Sequence, residues 1–302
     1  MRTRFAPSPT GPLHLGHAYS AMLAHEMARA AGGEFLLRIE DIDQSRARPE
    51  WEELIYEDLR WLGLSWDGPV MRQSERLEIY RGIVGEFWIA LEAFACTCNR
   101  KDILAAASAP QEGAPAFGPD GIVYPGTCRQ NKSVWEREDP PKDAALRLDM
   151  GLAVTRDGVF DHRIDTPDGG RRVAHFLETG AGPNGETGQI TFTDREMVED
   201  VGDIVLARRD MGTSYHLSVV LDDADQGITH VIRGEDLFEA TKIHVVLQRL
   251  LHLPTPIYHH HRLIRDEAGK RLAKRDDARA IRTYRDEGAT PADIRAMVGL
   301  AV

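Results

Sequence analysis

The sequence predicts an α/β fold in which a parallel sheet is wound in two halves around an inserted segment. Three observations carry this expectation. A short apolar strand, a Pro/Gly turn and an alanine-rich helix open the chain and lead into a second, almost wholly apolar strand. Strand and helix patterns resume after residue 200. The stretch from about 95 to 200 is loop-rich and holds all three cysteines.

The totals bound the class. A chain of 302 residues is long enough for one large or two modest domains, and 42% hydrophobic with 28% charged residues reads as globular. No apolar run approaches a membrane span. The N-terminus enters a strand directly, so no secretory signal is expected, and three cysteines then point to a reducing cytoplasm. Net charge is −11, which opposes unspecific nucleic-acid binding over the whole surface. Any RNA contact would need a local basic patch. Arg262, Arg265, Lys270, Arg271, Lys274, Arg275, Arg279, Arg282 and Arg285 crowd one C-terminal stretch.

Taken in order, Arg4–Ala6 reads as the first parallel strand and residues 18–31 as a helix with Ala18, Met22 and Ala28 spaced for burial. Glu34–Asp41 is the next strand, apolar enough to be covered on both faces. Ligands of such βαβ units sit beyond the carboxyl ends of the strands, where Glu40 and Asp41 fall. Helices are expected over Glu50–Leu62 and Ser74–Phe94, the latter with Tyr80, Val84, Phe87, Leu91 and Phe94 inward. Ser108–Gly126 reads as loop, Ala145–Leu148 and Ile190–Phe192 as strands, and Gly180–Gly188 as a surface insertion. Asp203–Asp210 reads as a strand opening the second half, Leu237–Leu251 as a helix, and Asp293–Leu300 as a last short helix. His259-His260-His261 is read as structural or surface, since consecutive side chains diverge on any regular element.

The loop between the first strand and helix carries the chemistry. It runs Ala6-Pro7-Ser8-Pro9-Thr10-Gly11-Pro12-Leu13-His14-Leu15-Gly16-His17. Prolines and Gly11 force a sharp turn. The helix N-terminus that follows offers unpaired N–H groups and partial positive charge to a phosphate, and His14 and His17 can donate to the same oxygens. Gly16 allows close approach. A second signal is Cys96-Thr97-Cys98 with Cys128. Tetrahedral zinc wants four ligands. Three thiolates are present, and Asp102, Glu112, Asp120 and Tyr124 are candidates for the fourth place.

The twelve-residue loop resembles the HIGH signature of class I aminoacyl-tRNA synthetases in its glutamate-branch wording. Gly269-Lys270-Arg271-Leu272-Ala273-Lys274-Arg275 resembles the second signature, the KMSKS loop, departing from it at Arg271 and Ala273. Cys-x-Cys with a later Tyr-x-x-x-Cys resembles the zinc site of the glutamyl-Q tRNA(Asp) synthetases, a truncated glutamyl-tRNA synthetase branch. The resemblance implies structural zinc on Cys96, Cys98, Tyr124 and Cys128. It implies ATP with Mg²⁺ on His14, Gly16, His17 and Lys274, with His14, His17 and Lys274 catalytic.

For L-glutamate it implies a pocket of Arg4, Phe5, Ala6, Pro7, Ser8, Glu40, Tyr215 and Arg233. Arg4 would take the side-chain carboxylate and Glu40 the α-ammonium. The implied architecture is a Rossmann-type sheet in two halves (1–94 and 201–258). Between them lies an acceptor-type insertion (95–200, zinc site within 95–130), and a lysine-loop and helical segment (259–302) follows. No anticodon-binding domain is expected, since the chain ends at Val302. The implied activity is formation of glutamyl-adenylate without tRNA, then transfer to the queuosine base of tRNA(Asp), by a cytoplasmic monomer with no membrane partner. A trimmed glutamyl-tRNA synthetase charging a tRNA 3′ end, a catalytically silent nucleotide- or RNA-binding paralogue, and a ligase using another amine are the rival readings.

Overall fold

The computed structural model describes residues 1–107, 117–131, 139–166, 169–265 and 279–301. The first half runs β1 (Arg2–Phe5), α1 (Leu15–Ala30), β2 (Glu34–Ile39), α2 (Pro49–Trp61), β3 (Met71–Arg72) and α3 (Leu77–Ile89). β1, β2 and β3 are parallel neighbours, with Thr3 opposite Phe35 and Arg38 opposite Met71. α1 buries Ala18, Ala21, Met22, Ala24 and Ala28, and the four alanines let the helix sit close against the sheet.

The inserted segment begins with β4 (Ala93–Cys96) and α4 (Arg100–Ala107). It continues through a hairpin of β5 (Phe117–Gly118) and β6 (Gly121–Ile122), then β7 (Ala145–Leu148) and α5 (Met150–Ala153). β8 (His162–Thr166), β9 (Gly169–Glu178), β10 (Gly188–Thr193), α6 (Asp194–Glu196) and β11 (Val205–Ala207) complete it. The helix expected over Ser74–Phe94 is shorter than that span. It ends at Ile89, Leu91 takes a left-handed φ of 63°, and Phe94 lies in β4, antiparallel to β7. The apolar run Ala93–Cys96 has no polar face to keep a helix at the surface, whereas as a strand it buries Cys96 opposite Ala145. Asp203–Asp210 also differs. Its central residues form β11, antiparallel to β7 in a separate three-stranded sheet, β11-β7-β4.

The second half is α7 (Tyr215–Asp225), β12 (His230–Gly234), α8 (Ala240–Leu250) and β13 (Ile257–His261), followed by α9 (Ile281–Asp286) and α10 (Pro291–Val298). β12 and β13 are parallel, and β13 is followed in the sheet by β9, then β10, with β8 also on β9. β12 also lies beside β1, where the Thr229 N–H donates to the Arg2 carbonyl at 3.0 Å. The strand order therefore reverses between β1 and β12, which is where open α/β sheets hold their ligands.

The Gly180–Gly188 stretch is more than a surface loop. The Ala181 N–H donates to the His260 carbonyl at 3.0 Å, and a Cβ on Gly180 would sit 2.1 Å from that oxygen, so only glycine fits. Ile281 and Ile294 of α9 and α10 join the core of α1, β1, β2 and α2. The Ile281 N–H donates to Leu13 C=O at 2.8 Å, returning the C-terminal segment to the first loop. Among the described residues no helix is long and apolar enough to cross a membrane.

Candidate active site

α1 starts with a reciprocal cap made by two histidines. His14 Nδ1 accepts the Gly16 N–H at 3.1 Å, and His17 Nδ1 accepts the His14 N–H at 3.2 Å. Each ring therefore carries its proton on Nε2, as a donor. The rings lie 3.8 Å apart between centroids. A Cβ on Gly16 would meet the His14 imidazole at 3.0 Å, so the glycine makes room for the ring that caps the helix. The two imidazoles and the helix N-terminus together form a donor cluster suited to an anion.

Beside it, at the carboxyl ends of β1 and β12, lies a cavity of about 440 Å³. Arg4, Phe5, Ala6, Pro7 and Ser8 line it from the first strand and loop, Glu40 from the end of β2, Tyr215 from the start of α7 and Arg233 from β12. His17 lines it too. The eight residues expected around glutamate thus share one hollow.

Their electrostatics differ. Arg4 is buried, with Nε and Nη2 donating to the Asp223 carboxylate at 2.9 and 3.3 Å. Asp223 also accepts from Arg38 Nη1 at 2.7 Å. Burial pushes the Asp223 carboxyl up, but the Arg4 and Arg38 charges outweigh it and hold it below the usual aspartate range. Arg38 Nη2 donates to Glu40 Oε1 at 3.2 Å. Burial nevertheless raises the Glu40 carboxyl above its ordinary range, against the pull of Arg38 and Arg4. Such a carboxylate gains from a further cation, as a substrate ammonium would supply.

The sequence comparisons bear on this arrangement. The family model for class I tRNA synthetases (E and Q), catalytic domain, matches residues 1–166 and 186–301. A glutamyl-Q tRNA(Asp) synthetase of Rhodobacter capsulatus is 61% identical over 300 residues, spanning 99% of this chain and 100% of that protein. The chain belongs to the glutamyl-Q tRNA(Asp) synthetase family. Another member, from Symbiobacterium thermophilum, is 39% identical over 95% of this chain and 82% of its own length. The fold comparison agrees with this membership. A crystal structure of a glutamate tRNA ligase from Elizabethkingia meningosepticum, in complex with its amino acid, gives a TM-score of 0.70 at 26% identity. It covers 99% of this chain and 60% of that one. The chain is accordingly a ligase of the aminoacyl-tRNA synthetase type, on a class I catalytic domain.

Two further family features were expected from the sequence. Lys274, with Arg271 and Ala273, falls outside the described residues. The cysteines converge. The sulfurs of Cys96, Cys98 and Cys128 lie within 4.8 Å of one another. Tyr124 Oη, buried beside them, accepts from the Cys96 thiol at 3.4 Å and from the Cys128 N–H at 2.8 Å. Burial and the contact with Cys128 push the Cys98 thiol up to about 11. Burial acts the same way on Cys128, but hydrogen bonds from Tyr124, the Thr97 backbone and the neighbouring thiols bring it down to about 7. Three sulfurs and one phenol oxygen make a donor set of the right chemistry for zinc. Asp120 is elsewhere, 3.4 Å from His216 Nε2.

Sequence reasoning missed Arg38 and Asp223, which fix Arg4, and His244 and His260, which touch Arg233. A signal existed for the first pair. An arginine inside the apolar run Leu36-Leu37-Arg38-Ile39 must find a buried partner, and Asp222-Asp223 ends another apolar run. The histidine triplet forms no metal-ligand group among the described residues. His260 points to Arg233 and Glu178, whereas His261 meets Ser20 and His259 meets Thr179.

Proposed function

We propose that the chain activates L-glutamate with ATP, without tRNA, and transfers the glutamyl group to the queuosine base of tRNA(Asp). The observation that carries the first step is one hollow with two guanidinium groups and one carboxylate, beside an anion-binding helix start. Glutamate brings two carboxylates and one ammonium. Arg4 and Arg233, with Tyr215, take the side-chain carboxylate; Glu40 takes the α-ammonium; Ser8 and the Phe5–Pro7 backbone close the pocket. The α-carboxylate oxygen then attacks the α-phosphorus of ATP, the bond to the bridging oxygen breaks, and pyrophosphate leaves with its Mg²⁺.

Positioning and charge stabilisation dominate such a step. His14 and His17 donate from Nε2, Gly16 and the helix N-terminus supply backbone dipoles, and Lys274 supplies charge from the second signature. Losing one comparable anion-stabilising donor costs about 2.7–4 kcal/mol in the transition state. Cys96, Cys98, Tyr124 and Cys128 would hold one zinc ion, which would supply a structural cross-link within the inserted segment.

For the second step, support comes from the names of the relatives and from an adjoining cavity of about 490 Å³. That cavity also contains Tyr215, and Arg100, Arg147 and Arg208 outnumber Asp120 and Asp203 in its lining, a balance that favours a phosphate-bearing acceptor. The reading includes a cytoplasmic, monomeric enzyme. ATP–pyrophosphate exchange should proceed with glutamate and not with glutamine or aspartate, with no tRNA added. Radiolabelled glutamate should then pass only to tRNA(Asp) that carries queuosine. Exchange that needs tRNA, or label on the 3′ end of unmodified tRNA, would replace this reading with that of a trimmed glutamyl-tRNA synthetase.

A further inference from the structure

Arg233 is held by an ordered chain of hydrogen bonds. Its Nε donates to His260 Nε2 at 3.1 Å, and its Nη1 lies 3.1 Å from His244 Nδ1. Its Nη2 donates to Thr241 Oγ1 at 2.7 Å and to the Leu237 carbonyl at 3.2 Å. Guanidinium has five N–H bonds and no acceptor. Four are therefore engaged, and the fifth, on Nη1, belongs to a side chain that lines the cavity.

Because Arg233 only donates, both imidazole nitrogens facing it must accept. Each ring then carries its proton on the far nitrogen. On one side His260 donates from Nδ1 to Glu178 Oε2 at 2.5 Å. On the other, His244 donates from Nε2 to His216 Nδ1 at 3.0 Å, and His216 Nε2 faces Asp120 Oδ1 at 3.4 Å. Every imidazole proton in this chain has one consistent position, and the Thr241 hydroxyl, 3.3 Å from both the Leu237 carbonyl and His260 Nε2, can donate to either. Burial and the nearby guanidinium lower the titration of both His244 and His260, which keeps the rings neutral and accepting.

The anchor of the His260 arm is unusual in its origin. Glu178 ends β9, inside residues 167–185, the stretch that the family model leaves unmatched. It is 1% exposed. Its Oε1 accepts the His260 N–H at 2.9 Å and the Gly180 N–H at 2.7 Å, so the carboxylate cannot turn. The hairpin of β9 and β10 thus reaches the substrate arginine through a single imidazole.

We propose that Glu178 is a positioning residue for Arg233. Through His260 it fixes the imidazole tautomer that accepts from Arg233 Nε, and so presents the remaining Nη1 N–H to the substrate carboxylate. The identity of that carboxylate rests on the glutamate reading above; the tautomer does not.

The substitution Glu178→Gln separates the possibilities. The new amide keeps its oxygen on the two backbone N–H groups and turns its NH₂ toward His260 Nδ1. The proton of His260 then moves to Nε2, where it opposes the Arg233 N–H. In the exchange assay the KM for glutamate should rise at least about tenfold (~1.4 kcal/mol), with the KM for ATP and kcat within about threefold.

Selective ¹⁵N-histidine labelling reads the tautomer directly, with His260→Gln providing the assignment. His260 should carry its proton on Nδ1 in the parent and on Nε2 in folded Glu178→Gln. A parent His260 protonated on Nε2, or a flipped tautomer with an unchanged glutamate KM, would overturn the proposal. A Nδ1 proton in a protein that shows no glutamate-dependent exchange would instead remove the substrate reading and leave the positioning chain standing.

Discussion

Two arginines line one cavity and are held there by opposite means. Arg4 is locked to a carboxylate, Asp223, which it shares with Arg38. Arg233 is locked by neutral acceptors: two imidazoles, a hydroxyl and a carbonyl. Among the described residues no carboxylate touches it. The charge of Arg4 is thus largely balanced before any ligand arrives, while that of Arg233 is not. Hydrogen bonding fixes the direction of both side chains, but the choice of partner decides how much positive potential each contributes. A substrate carboxylate entering this site meets a pre-balanced ion pair on one wall and an uncompensated guanidinium on the other.

The comparison can be broken first at the ion pair. Asp223→Ala strands Arg4 and Arg38 without their shared partner in a dry environment, and breaking a buried pair this way costs about 3–5 kcal/mol. Urea unfolding should register a loss of this size; a change below about 1 kcal/mol would mean water reaches both guanidiniums. The next largest effect is at the other wall. Arg233→Ala removes one charge-assisted hydrogen bond to the substrate, about 1.5–3 kcal/mol. Glutamate kcat/KM should fall about 10- to 100-fold, with the melting midpoint changed less than in Asp223→Ala. A larger stability loss than kinetic loss would reverse the assignment of roles.

What was legible in the sequence follows the range of the interactions involved. The first strand, loop and helix rest on neighbouring residues: prolines set the turn, and small apolar residues face the sheet at helical spacing. The cysteine spacing likewise brings three sulfurs together, with Tyr124 among them. Pairing over long range was not legible. Ala93–Cys96 continues the apolar pattern of the helix before it, and only β7, about fifty residues later, makes it a strand. The run Gly169–Glu178 mixes Gly, Arg and His with apolar residues and signals no element by itself; β8, β10 and β13 define it from three directions. His260 looked like one of three interchangeable histidines because its distinction lies in Glu178, which is remote in sequence.

A third buried charge sharpens the lesson by lacking what the other two have. Asp58, on α2, is fully buried, and neither carboxylate oxygen accepts a hydrogen bond among the described residues. Arg285 Nη1 stands 3.6 Å away, too far for one. Burial is the dominant influence and pushes this carboxyl up to about 6, against the opposing charge of Arg285. Asp223 is held low by its partners and stabilises the fold above the unfolded aspartate range. Asp58 does the reverse. Below about pH 4 it is neutral in both states and has no effect. As pH rises from about 4 to 6 the unfolded chain ionises first, so stability falls, and above about 6 the penalty is complete at roughly 3 kcal/mol. Asp58→Asn removes the charge but leaves a buried amide whose own desolvation costs about 1–3 kcal/mol. The net gain at pH 8 should be near 1 kcal/mol in urea unfolding, shrinking as pH falls from about 6 to 4. A gain that stayed constant across that window would show that the Asp58 carboxyl titrates in the folded protein as it does in the unfolded chain and carries no burial penalty.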